Sequence, residues 1–201
     1  MGRKRIYRKT EKQDPKKPVR IGLLSAEKGS GLTHICLLLA NYISGCKKRR
    51  VALLEQNQSG DFMRLADFYG IRRDKFTIQG VDYYSDVSGS LYRDLYALGY
   101  EYILSDYGSD LKNSGESFWQ SEVKILLISS SPWKAQAGRR ILDANEKSIL
   151  ESWYILQAFG SEGYRKKLER IYGFPIGRIP FSEDPFSINA ELYDFFRSLN
   201  L

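Results

Sequence analysis

Three short segments carry residue types that could bind and handle a phosphate. The first is Ser25-Ala26-Glu27-Lys28-Gly29-Ser30-Gly31-Leu32-Thr33-His34, a glycine-containing turn between an apolar run and an amphipathic stretch. Such a turn aims backbone N–H groups and a helix N-terminus at an anion. Lys28, Gly29, Ser30, Gly31, Leu32, Thr33 and His34 are therefore the candidate ligand-binding residues. The second segment, Glu55-Gln56-Asn57-Gln58-Ser59-Gly60-Asp61, follows another apolar run. The third, Ser105-Asp106-Tyr107-Gly108, places an acid at the end of Tyr102-Ile103-Leu104.

These segments need elements that bring them to one place. Strands are predicted over Val19–Ser25, Val51–Glu55 and residues 76–84, 102–105, 124–129, 153–157 and 175–179. Helices are predicted over residues 31–44, 61–69, 90–98, 134–147, 163–170 and 188–199 from apolar side chains at 3.6-residue spacing. In the first of these, Cys36, Leu39, Ala40 and Ile43 share a face. Strands alternating with helices of this length form βαβ units, and near-continuous apolar strands belong in a sheet covered on both faces. The expected architecture is a three-layer, doubly wound α/β fold with a mostly parallel sheet. Its ligands bind past the carboxyl ends of the strands, where all three segments fall.

The 201-residue chain carries a formal net charge of +7, but that charge is local. The first 20 residues hold nine basic side chains against Glu11 and Asp14, leaving 22 basic and 22 acidic residues in the remainder. Residues 1–18 are read as a flexible basic tail and 19–201 as one domain. The tail has the chemistry to contact nucleic acid or an anionic membrane through residues 1–20. Two cysteines, Cys36 and Cys46, are too few for a disulfide framework or a four-ligand zinc site. No run approaches the roughly 18 apolar residues of a membrane span. MGRKRIYRKT has no apolar stretch behind it and is not read as a secretory signal; a cytoplasmic location is expected. The bland readings are packing for His34, Cys36 and the Tyr92/Tyr96/Tyr100 stripe, and solvated charge for Lys47-Lys48-Arg49-Arg50.

In order and spacing the three segments resemble the motifs of the ParA/MinD group of P-loop ATPases: K-G-G-x-G-K-T-T, V-L-L-I-D-x-D-P-Q-G-N and Y-D-Y-I-I-I-D-x-P. Leu126 to Pro132 resembles the strand leading to the base pocket, and Gly177 to Pro185 resembles the G-x-I-P-x-D stretch. The similarity runs from about residue 18 to residue 201, and the nearest branch is the TadZ/CpaE-like one that places pilus-assembly machinery. The resemblance implies a P-loop, ATP or ADP with Mg²⁺ as ligand, a homodimer through the P-loop face and a protein partner. Nothing matches a guanine-reading N-K-x-D, so ATP is expected over GTP.

The departures from the family pattern fall on its chemistry. Leu32 stands where the resemblance implies the lysine on the β- and γ-phosphates, and Glu27 where it implies the lysine that crosses to a dimer partner. Asn57 stands where the resemblance implies an acid that orients water, whereas Glu55, Asp106 and Thr33 are kept, and the resemblance implies that the Thr33 hydroxyl and, through water, the Asp106 carboxylate touch Mg²⁺, with Glu55 a further candidate. Phosphoryl transfer depends on positive charge placed around the γ-phosphate, and losing one preorganised donor costs about 10²–10³ in rate. The expectation is a pseudo-ATPase that binds nucleotide without cutting it, or binds none, and serves as a scaffold that localises or recruits partners. Two alternatives stand: an active ATPase completed by Lys28 or a partner's arginine, and a DNA-binding accessory using its basic arm. No residue is assigned a catalytic role.

Overall fold

All five residues of Val51–Glu55 are buried, as a strand covered on both faces requires. In the computed structural model, which describes residues 17–85, 87, 91–110 and 115–201, this strand (β2) lies deep in an eight-stranded sheet. The others are β1 (Val19–Ser25), β3 (Lys75–Ile78), β4 (Val81–Tyr84), β5 (Tyr102–Asp106), β6 (Val123–Ser130), β7 (Tyr154–Gly160) and β8 (Gly177–Arg178). Their order is β3-β4-β2-β5-β1-β6-β7-β8. Every pair is parallel except β3 with β4. The doubly wound, mostly parallel α/β expectation therefore holds.

Helices cover both faces. On one face α1 (Leu32–Asn41), α2 (Asp61–Phe68) and α8 (Ala190–Ser198) send Leu38, Phe62, Ala66, Leu192 and Phe196 into a single apolar cluster. On the other, α4 (Gly115–Trp119), α5 (Ala135–Asp143), α6 (Lys147–Leu150) and α7 (Glu162–Tyr172) contribute Phe118, Leu142, Leu150 and Leu168. Beside them α3 (Leu91–Ala97) buries Leu95 against Leu54 and Ile103. Cys36 is fully buried, in line with its packing reading, Leu192 and Phe196 are core residues, and Cys46 is exposed.

Four elements depart from the sequence expectation. Residues 76–84 form a hairpin rather than one strand, because Gln79-Gly80 is a two-residue turn. The predicted helix over 31–44 is α1 followed by a π-helical turn, Tyr42–Cys46, whose Tyr42 ring packs 5.4 Å from that of Phe196. The predicted helix over 134–147 stops at Asp143 as α5, and a separate short helix, α6, begins at Lys147. The side chain of Asn145 donates to the Ile141 carbonyl at 2.7 Å across the break. Helix α4 had no counterpart in the sequence reading.

In the basic run after α1, Lys48, Arg49 and Arg50 are exposed, and three of the four side chains also make contacts within the chain. Lys47 donates to the Tyr102 hydroxyl at 2.7 Å, Arg49 pairs with Glu101 at 2.9 Å and Arg50 donates to the Leu98 carbonyl at 2.7 Å. Of the tail, residues 1–16 lie outside the described residues. No described helix is long and apolar enough to cross a membrane.

Candidate functional site

The register of the central strands assembles the site. Asp106 is paired with Leu23 on one side and with Glu55 on the other, so β1, β5 and β2 end together. From Ser25 the chain turns into α1 through a closed loop. The Ser25 hydroxyl donates to the Glu27 carbonyl at 2.8 Å and meets the Ser30 hydroxyl at 2.5 Å. Gly29 and Gly31 adopt φ of +69° and +85°, which a residue with a β-carbon resists. Gly31 is the N-cap of α1 and brings no side-chain acceptor to the first turn. The first-turn N–H groups are thus left for an external anion or water.

Below the loop sits a compact acidic and hydroxyl cluster. Thr33 Oγ1 donates to Asp106 Oδ2 at 2.7 Å and lies 3.4 Å from Asp61 Oδ2. Asp106 also accepts from the Gly108 N–H at 2.9 Å and from Asn57 Nδ2 at 3.0 Å. Glu55 is engaged by α2: its Oε1 accepts from the Asp61 N–H and the Ser59 hydroxyl, each at 2.7 Å. Asp61, which the sequence reading placed at the end of the second segment without a role, thereby joins the site. Asp106 is 1% exposed. Burial lifts its carboxyl above the usual carboxylate range, the Thr33 and Gly108 hydrogen bonds oppose that, and the charges of Glu55 and Asp61 add to the lift.

This donor set suits Mg²⁺ in company with phosphates. Hard oxygen donors are present and their mutual repulsion favours a cation. Among the described residues, however, no group of three or more acidic, His or Cys side chains forms a metal cage by itself. Mg²⁺ typically relies on one or two carboxylates, water and substrate phosphates, and here Asp106 and Thr33 would supply the protein's share.

The positions that depart from the family pattern are placed as follows. Leu32 is buried in the apolar cluster with Ile35 and Leu38, so no charge from that position enters the loop. Asn57 is held on Asp106, donating also to its carbonyl at 3.1 Å. Lys28 is exposed. Glu27 turns inward, its Oε1 buried without a hydrogen bond. Lys134, from the turn between β6 and α5, places Nζ 3.8 Å from that oxygen and donates to the carbonyls of Lys28 at 3.3 Å and Gly29 at 3.4 Å. The Phe159 ring closes the other side, 3.4 Å from where a β-carbon on Gly31 would stand. Two further clefts, of about 570 Å³ along Gly70–Thr77 and about 400 Å³ between α5 and α7, lie outside this loop.

His34 faces away, toward the 182–186 segment that crosses α1. Its Nε2 is buried without a partner. Burial lowers its pKa, against a hydrogen bond with the Ser182 backbone and the nearby Asp184 charge, which raise it. A folded-state pKa below the unfolded one means that acid favours the unfolded chain. Wild-type stability is expected to fall as pH drops below about 6.5, and His34→Gln is expected to flatten that dependence between pH 7 and 5. Parallel denaturant titrations of the two proteins at several pH values check this.

No protein-family model matches the chain, and no curated protein matches it. Solved structures do. A ParA family ATPase from Chlorobium tepidum superposes with a TM-score of 0.63 at 15% identity, covering 92% of this chain and 100% of that one. A plasmid partition protein from Borrelia burgdorferi, bound to AMPPNP, gives 0.63 at 17% identity over 90% of this chain and 96% of that one. The MinD cell division protein of Aquifex aeolicus gives 0.62 at 14% identity, with coverages of 90% and 87%.

Proposed function

We propose that this chain, which has the ParA/MinD-type P-loop fold, is a nucleotide-binding scaffold that recruits or positions a protein partner without hydrolysing its ligand. One observation supports the reading: the Gly29–Gly31 turn at the start of α1 stands beside a Thr33–Asp106 pair 2.7 Å apart, while Leu32 is core and Asn57 is tied to Asp106. When bound, Mg²⁺ would neutralise phosphate charge. The chain's own parts would do the rest: first-turn N–H groups hold the anion and Thr33 with Asp106 orients the metal. An amide at position 57 cannot take a proton from water, and no lysine rises from the helix start to meet developing γ-phosphate charge. The partner class that agrees with the relatives is a positioning machinery, and TadZ/CpaE-like pilus placement is the branch we favour from the motifs. Pairing of two copies through the P-loop face belongs to the same proposal.

Thermal melting with Mg·ATP tests binding. Ligand at about 100 times Kd adds roughly 2.7 kcal/mol, which at roughly 2–4 °C per kcal/mol for a chain of this size is a rise of about 5–11 °C. Phosphate release is expected at background. Release above background that Lys28→Ala abolishes would replace the scaffold by a working ATPase, and the absence of any melting shift would remove nucleotide from the proposal.

A further inference from the structure

A phosphate entering this loop finds no cation rising from the helix start, since Leu32 is core, and meets the inward carboxylate of Glu27. Two ammonium groups are near. Lys28 is exposed. Lys134 is already drawn in: its side chain is 32% exposed and its Nζ lies over the loop's own backbone. Its stem is anchored where β6 ends, by a turn in which the Lys134 and Ala135 N–H groups donate to the Ser131 carbonyl at 2.9 and 2.8 Å.

The quality of its contacts is informative. Charge-assisted N–H···O bonds settle at about 2.7–2.9 Å, yet Lys134 holds its three oxygens at 3.3, 3.4 and 3.8 Å. Glu27, on its side, leaves Oε1 buried with no hydrogen bond at all. Neither group is well satisfied by the other. An ammonium on a flexible four-carbon stem moves readily to a better acceptor, and the space next to Gly29 is open apart from Lys134 itself.

We propose that Lys134 is the phosphate-binding cation of this loop and that Glu27 is its built-in competitor, so that the Glu27–Lys134 pair sets affinity for a nucleoside di- or triphosphate. The proposal rests on the nucleotide-binding reading above. In the free protein the pair cancels charge at the mouth; with ligand bound, Lys134 leaves Glu27 and the carbonyls of Lys28 and Gly29 for a phosphate oxygen.

Calorimetric titration of Mg·ADP into the full chain, wild type beside Glu27→Gln, Lys134→Ala, Lys134→Arg and the double variant, tests it. Glu27→Gln is expected to tighten binding about tenfold and Lys134→Ala to weaken it about tenfold, the worth of one hydrogen bond to a charged group. Lys134→Arg should restore most of the loss, which a purely structural role for the stem would not require. In the double variant the gain from Glu27→Gln should vanish, because the two residues act as a pair. Wild-type binding that Lys134→Ala leaves unchanged overturns this inference alone, as does a Glu27→Gln protein that binds no tighter. If wild type and Glu27→Gln both fail to bind at millimolar ADP, the nucleotide reading falls and takes this one with it. Should Lys134→Ala not fold, the Glu27→Gln and Lys134→Arg arms decide.

Discussion

Asp106→Asn is expected to raise the melting temperature of the ligand-free protein and to remove the rise that Mg·ATP brings. Both effects come from one carboxylate. Asp106 is buried beside Glu55 and Asp61, and its folded-state pKa is raised, burial being the largest cause. A carboxyl whose pKa is higher folded than unfolded costs stability once it ionises. The cost is absent below the unfolded value near 3.9, grows as pH rises toward the folded value, and is fully present above it. At neutral pH the amide removes that cost while its oxygen can still accept from the Gly108 N–H and its amide group can face the Thr33 hydroxyl. The same exchange removes the charge that would help to hold Mg²⁺. The melting rise of about 5–11 °C expected with Mg·ATP at about 100 times Kd should shrink to near zero. A variant that keeps the full rise would place the metal elsewhere. One that melts lower without ligand would mean that the hydrogen bonds to the ionised carboxylate outweigh its burial and crowding.

What was legible in the sequence was whatever depends on neighbours along the chain. VRIGLLS and VALLE read as strands because runs buried on both faces must be apolar, and both are bounded as expected. The Gly29 and Gly31 turn was visible because positive φ selects glycine. The hairpin at 75–84 was not, since β-forming residues on both sides of Gln79-Gly80 read as one run. Helix α4 was missed because it spans five residues, too short for helical periodicity to show. Within the site, Thr33 and Asp106 were named from motif spacing and stand 2.7 Å apart. Lys134 could not be found that way: its contacts with Lys28 and Gly29 span more than a hundred residues and arise only because β6 lies beside β1. The role of Asp61, named only as the end of the second segment, was hidden for a different reason, as it depends on the Glu55 side chain folding onto the start of α2.

Gly160→Ala is expected to be strongly destabilising, and its effect should reach the phosphate loop. At Gly160 φ is +117°, and a β-carbon there would stand 2.5 Å from the Ser130 carbonyl carbon, 2.7 Å from Ser130 Cα and 2.7 Å from the Ser131 nitrogen. These are backbone atoms of the neighbouring strand, so no side-chain rotation relieves the clash. The close approach follows a register irregularity between β6 and β7, after which Ser130 pairs with Gly160. Strained backbone together with a steric clash belongs to the short set of mechanisms that cost several kcal/mol. A loss of about 3 kcal/mol would lower the melting temperature by about 6–12 °C for a chain of this size. The strand ends that must part to admit the methyl carry Phe159, which lies against Gly31, and Ser131, which starts the turn bearing Lys134. Any Gly160→Ala protein that still folds should therefore bind Mg·ADP more weakly than wild type. Gly163→Ala supplies the contrast: that glycine lies in α7 and its nearest neighbour is the Ser161 hydroxyl at 3.7 Å, so a methyl there should stabilise by up to about 1 kcal/mol and leave binding alone. If the two variants melt together, the β6–β7 crossing yields to a methyl group, and the positions of Phe159 and Lys134 do not depend on it.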